Sequence, residues 1–218
     1  AIGLDGSVYV ADTGNKRVRV YTPDGELVRD ICGAGAGLGQ LDEPVGLAIH
    51  PTTGDLYVAD TWNQRISVFD ADGLALRTWD VNMWHTNRQS YNRPYLAINP
   101  AGTLVYVTDM DDKHRIVAYT LDGLPALSFN LPKNLEAGVL EVRSPAGPAF
   151  DAEGRLYVVD AEQGQARIVI FGALDVGSGA AGEMLAPGEG VAEEGESGAP
   201  IIIPQEESGE DAAGDAVG

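Results

Sequence analysis

An aspartate and an arginine return together four times along this chain: Asp12 with Arg17, Asp60 with Arg65, Asp109 with Arg115, and Asp160 with Arg167. A ring of such charges could bind an ionic ligand. A pair needed once per repeat is better read as a cross-strand ion pair or turn cap, because facing hairpin strands bring opposite charges within reach. A second concentration of chemistry is "VNMWHTNRQSYNRP", residues 81–94. Here Trp84, His85, Arg88, Tyr91 and Arg93 crowd a stretch without an acid. Aromatic and guanidinium groups together are the composition favoured at protein-contact hot spots. Trp62 and Asn63 before Arg65, and Lys113 and His114 before Arg115, extend this candidate binding patch. The competing use of Trp79, Trp84 and Tyr91 is to pack over a gap between repeats.

Other chemistry finds little support. His50, His85 and His114 lack the spacing of zinc ligands. His50 stands where Asn99 and Asp151 stand in later repeats, which reads as a turn position. "DMDDK", residues 109–113, lacks the glycine and terminal glutamate of a calcium loop. "GAGAGLGQ", residues 33–40, has no Lys-Ser/Thr and is not a phosphate loop. No Ser-His-Asp or Cys-His arrangement is legible, so no catalytic residue, metal or cofactor is expected. Cys32 is alone and forms no disulfide within the chain.

Charge divides the chain. Residues 173–218 hold eleven of the 33 acidic residues and no Lys or Arg, within a net charge of −19. This Gly-, Ala- and Glu-rich segment has no aromatic residue and is expected to be a disordered acidic tail. Residues 1–172 are long enough for a sizeable core. The acidic balance disfavours nucleic acid and anionic membranes, since phosphate attraction needs local positive charge. No apolar run approaches the ~20 residues of a transmembrane helix.

The elements that must position these residues come from a repeat. "VYVAD" (residues 8–12) returns as "LYVAD" (56–60), "VYVTD" (105–109) and "LYVVD" (156–160). Each is followed by an Arg-led apolar run: "RVRVY", "RISVF", "RIVAY" and "RIVIF". Asp-Gly turns follow at Asp24-Gly25, Asp72-Gly73 and Asp122-Gly123, and Pro-led strands begin at Pro44, Pro94 and Pro145. Runs of Val, Ile, Tyr and Phe between turn residues are strands. Four short antiparallel strands per unit, repeated, read as β-propeller blades.

"PVGLAIHPTTGDLYVADTWNQRISVFDADG", residues 44–73, resembles the NHL repeat almost position for position, and "YVADTGNKRVRVYTPDG", residues 9–25, resembles its later part. Repeats three and four depart from it: "TDMDDKHR" lacks the Asn before Arg115, and "DAEQGQAR" lengthens the turn. The resemblance implies an all-β fold, an open arc of blades at about residues 1–32, 44–80, 94–131 and 145–172, part of a six-bladed propeller. Ala1 aligns with Ala48, inside an innermost strand, so further blades are expected upstream in a larger protein. No fourth strand is expected between Phe171 and the tail, within which "APIIIPQ", residues 199–205, reads as a collapsed apolar segment or a short partner-binding strand. The function implied is a non-enzymatic scaffold for a protein partner or small ligand. The alternative is part of a propeller enzyme, a lyase or carbohydrate/lactone hydrolase with a channel metal. RNA binding, known among NHL propellers, is disfavoured by charge. Bacterial proteins with such repeats are often exported or attached to membrane proteins, which implies an extracytoplasmic or membrane-protein-associated location.

Overall fold

The computed structural model describes residues 1–81, 84, 94–109, 115–130, 145–162, 165–172 and 201–204. Within them the chain is a series of antiparallel sheets. The first blade comprises β1 (Val8–Asp12), β2 (Arg17–Tyr21) and β3 (Leu27–Ile31). A connector follows, with a short parallel pair of β4 (Gly33–Ala34) and β5 (Gln40–Leu41). The second blade is β6 (Pro44–Ile49), β7 (Leu56–Asp60), β8 (Arg65–Phe69) and β9 (Ala75–Asp80). The third is β10 (Leu96–Ile98), β11 (Leu104–Asp109), β12 (Arg115–Thr120) and β13 (Pro125–Asn130). The fourth is β14 (Pro145–Phe150), β15 (Leu156–Glu162), β16 (Gln165–Phe171) and β17 (Ile201–Pro204).

Each blade is a meander in chain order, as short turns between adjacent strands require. A register shift recurs between the last two strands of the first three blades, at Val20/Tyr21, Val68/Phe69 and Ala118/Tyr119. Such bulges strengthen the local twist that propeller blades need. Tyr9 N–H donates to the Ala1 carbonyl at 2.8 Å, and the Ala1 amino group donates back at 2.9 Å. Ala1 thus holds the place that Ala48 holds opposite Tyr57 in the second blade.

The core lies between blades. Tyr9, Val18, Val20 and Ile31 of the first pack with Leu56, Val58 and Phe69 of the second. Tyr57, Ile66 and Val68 face Leu96, Val105 and Val117 of the third. Tyr106 and Ile116 of the third meet Leu156 and Val158 of the fourth. The middle strands of the second blade, β7 and β8, are buried along their whole length because neighbours cover both faces. The end blades alternate instead. Val10 is 42 % and Val159 37 % exposed, next to the buried Tyr9 and Val158. The arc is open.

One expectation is corrected. Within the segment expected to be a disordered tail, Ile201–Pro204 forms a fourth strand of the fourth blade, antiparallel to β16. No Asp-Gly turn announces it, so local sequence could not place it. The remainder of the expected disordered tail, residues 173–200 and 205–218, lies outside the described residues.

Candidate functional site

The repeated Asp, Asn and Arg form one local unit. In the second blade, Thr61–Asn63 makes a 3-10 turn between β7 and β8, and Gln64 closes it in the left-handed region at φ 52°. That turn folds the Asn63 amide onto Asp60 Oδ2 at 2.8 Å, and Arg65 Nε donates to the same oxygen at 2.8 Å. The first blade repeats it: Thr13–Asn15, with Lys16 left-handed at φ 57°, sets Asn15 on Asp12 Oδ1 and Arg17 on Asp12 Oδ2, both at 2.8 Å. In the third blade Arg115 Nε meets Asp109 Oδ2 at 2.8 Å. In the fourth, Asp160 and Arg167 face each other in the ladder.

These units carry the connector. Arg65 Nη1 donates to the Ala36 carbonyl at 2.6 Å, and Nη2 to Gly37 and Gln40 at 3.0 and 2.7 Å. Asp60 Oδ1 accepts the Asp42 N–H at 2.6 Å, and Asn63 also donates to the Gly35 carbonyl at 2.9 Å. The buried pair therefore clamps residues 35–42 over the blade. Burial pushes the Asp60 carboxyl above the usual range, opposed by the Asp42, Asn63 and Arg65 hydrogen bonds. In the half-buried first-blade unit, hydrogen bonds from Arg17 and Asn15 hold the Asp12 carboxyl below that range.

Trp62 is half-buried on the same loop face. Lys16 Nζ lies 5.9 Å from its ring centroid and 2.8 Å from Asp42 Oδ1. The ion pair sets the ammonium over the indole, an arrangement that cation–π attraction favours. The turn of one blade, the connector and the turn of the next thereby converge. Lys16 and Asp42 are additions to the patch read from sequence. The signal was available for Lys16, which holds the repeat position of Gln64 and His114. Asn63 spends its amide hydrogens on Gly35 and Asp60.

Trp84 is elsewhere. It is 3 % exposed, in the core between the second and third blades with Val81 and Tyr57, and Trp79 packs alongside. Its carbonyl accepts from the Gln64 amide. Of its two sequence readings, the structure gives it the packing role. His85, Arg88, Tyr91, Arg93, Lys113 and His114 lie outside the described residues.

His50 joins blades. Its Nδ1 accepts from Thr52 and Thr53 N–H at 3.2 and 3.1 Å, which leaves Nε2–H to donate to the Gly102 carbonyl of the third blade at 2.9 Å. At the inner strands a cavity of about 360 Å³ opens, lined by Tyr9, Val10, Leu47, Tyr95, Leu96 and Pro148 among others. Its side chains are apolar apart from the tyrosine hydroxyls. Among the described residues no group of three or more His, Cys, Asp or Glu could hold a metal ion, and no helix is long and apolar enough to cross a membrane.

The NHL repeat family model matches residues 41–69, the end of the connector and the first three strands of the second blade. No curated protein matches the chain. Among solved structures, a streptogramin B lyase is similar at 16 % identity and TM-score 0.52, covering 77 % of this chain and 49 % of that one. The virginiamycin B lyase of Staphylococcus aureus gives 16 % and 0.52, over 77 % and 50 %. A chain of a nidogen/laminin complex gives 23 % and 0.55, over 76 % and 57 %. At these identities the likeness is one of fold, and the chain spans about half the length of these structures. The chain is an arc of β-propeller blades whose second blade carries a segment that matches the NHL repeat.

Proposed function

We propose that this arc is a non-enzymatic scaffold that binds a protein partner through its loop face. The observation that carries this reading is the Lys16–Asp42–Trp62 convergence, with an aromatic ring half-open to solvent on a clamped loop. Clamping matters because a loop already ordered loses little entropy on association. The nidogen/laminin likeness adds that a propeller of this fold occurs in a protein–protein complex.

The second reading, a lyase or hydrolase using a channel metal, draws on the likeness to two lyases. The cavity at the inner strands favours it less, because the six side chains named there include no carboxylate, imidazole or thiol. A protein partner is tested by photo-crosslinking. Benzoylphenylalanine replacing Trp62 is expected to trap a protein of defined mass, whereas the same probe replacing Leu76, on the exposed outer strand, traps none. Excess wild-type chain should compete, and a Trp62→Ala chain of unchanged melting temperature should not. Equal trapping from both positions, or none from position 62, would contradict the reading.

A further inference from the structure

The fourth blade obtains its outer strand differently from the others. In the second and third blades, residues 70–74 and 121–124 join the third strand to the fourth. In the fourth blade, residues 172–200 intervene between β16 and β17. Tight turns make the earlier outer strands unavoidable neighbours of their hairpin partners. β17 is separated from β16 by residues 172–200 instead. Its place rests on the ladder pairs Arg167–Pro204, Ile168–Ile203, Val169–Ile202 and Ile170–Ile201.

The segment is also chemically distinct from what surrounds it. Residues 197–205 carry no charge, between Glu196 and Glu206, and three consecutive isoleucines stand between Pro200 and Pro204. β-Branched residues suit an extended strand, and a proline at each end has no N–H with which to prolong a ladder. The edge they meet is in need of cover. Without β17, the outer side of β16 would present unpaired N–H and C=O groups, a template for any extended peptide.

We propose that the outer edge of β16 is a β-augmentation site for a short, extended, β-branched aliphatic segment, and that Ile201–Pro204 is its resident occupant, tethered in cis and exchangeable. Main-chain hydrogen bonds supply affinity in such a site, and the isoleucines supply selectivity. Because the resident strand belongs to the same chain, its effective concentration exceeds that of a free peptide, which competes poorly until the resident is displaced. The site lies on the arc's outer rim and is independent of the loop-face reading.

The test uses a fluorescein-labelled peptide of residues 198–205, GAPIIIPQ, titrated by fluorescence anisotropy into the full chain. Wild type is expected to bind it at least about tenfold more weakly than a full-chain Ile202→Asp variant, whose own strand is disabled. The same peptide carrying the Ile202→Asp change should not bind either chain. If the variant fails to fold, a wild-type strand with a protease site placed within residues 181–196 serves instead. Cut after folding, it should release its strand on dilution and take up the labelled peptide. Equal affinity for wild type and variant, or no saturable binding to either the variant or the cut chain, would overturn the proposal. So would a wild-type dimer that Ile202→Asp abolishes, since the strand would then belong to another copy.

Discussion

Asp60 and Arg65 have side chains 0 % and 11 % exposed, whereas their first-blade counterparts Asp12 and Arg17 keep 20 % and 30 %. The same motif should therefore have different worth. Arg65→Ala leaves a buried carboxylate unpaired and frees three connector carbonyls, and should cost about 3–5 kcal/mol by urea denaturation. Arg17→Ala should cost about 0–1 kcal/mol. Equal losses would show that burial does not set the value. Trp84→Ala should cost about 3–5 kcal/mol through the cavity it leaves between blades; a loss below about 1 kcal/mol would contradict its packing role. Burial pushes the Cys32 thiol up to about 12. The reactive thiolate is scarce at pH 8.5 in the fold and common in the unfolded chain, so iodoacetamide should modify native protein at least about a hundredfold more slowly than urea-unfolded protein. Comparable rates would place Cys32 in solvent. The Asp–Arg recurrence was legible in the sequence. Which pair is buried was not, because neighbouring blades decide it. Trp84 was ambiguous for a similar reason: an aromatic residue in a long connection looks alike whether it meets a partner or the next blade.

At the level of strands, repeated motifs located every blade because each segment carries its own turn chemistry. Gly46 shows what the "PVGLA" pattern encodes. The register shift between Pro44 and Leu47 brings it against the third blade, where an added Cβ would lie 2.5 Å from the Pro94 carbonyl oxygen and 3.1 Å from Tyr95 Cα. Both obstacles are backbone, so the inner strands must part. Gly46→Ala should destabilise by about 1–3 kcal/mol in thermal or urea denaturation; a neutral result would show that blades two and three are loosely apposed. The turn glycine Gly123, at φ +85°, serves a related purpose, since a side chain there would strike Trp79 of the preceding blade. β17 is the strand whose place in a blade the sequence did not reveal. Its partner lies across residues 172–200, and non-local pairing leaves no periodic trace. Nor does the acidic composition around it suggest a sheet.

Over the whole molecule, blades pack in series, with the second and third enclosed and the first and fourth each open on one face. The acidic balance, −19 overall, suits neither nucleic acid nor an anionic membrane as partner. A cavity with apolar side chains at the inner strands, and charged or aromatic groups gathered on the loops, divide the molecule into a framework and a loop face proposed to bind. The framework was readable from repeats; that Lys16 and Asp42 join Trp62 emerged only when two blades and their connector were brought together. The central claim is that this chain binds without a metal-dependent reaction. Isothermal titration calorimetry of the full chain with zinc and with calcium tests it most directly. The expected result is no stoichiometric heat for either ion at micromolar protein. One-to-one binding of either, with a micromolar or tighter Kd, would contradict the scaffold account and favour the lyase or hydrolase reading.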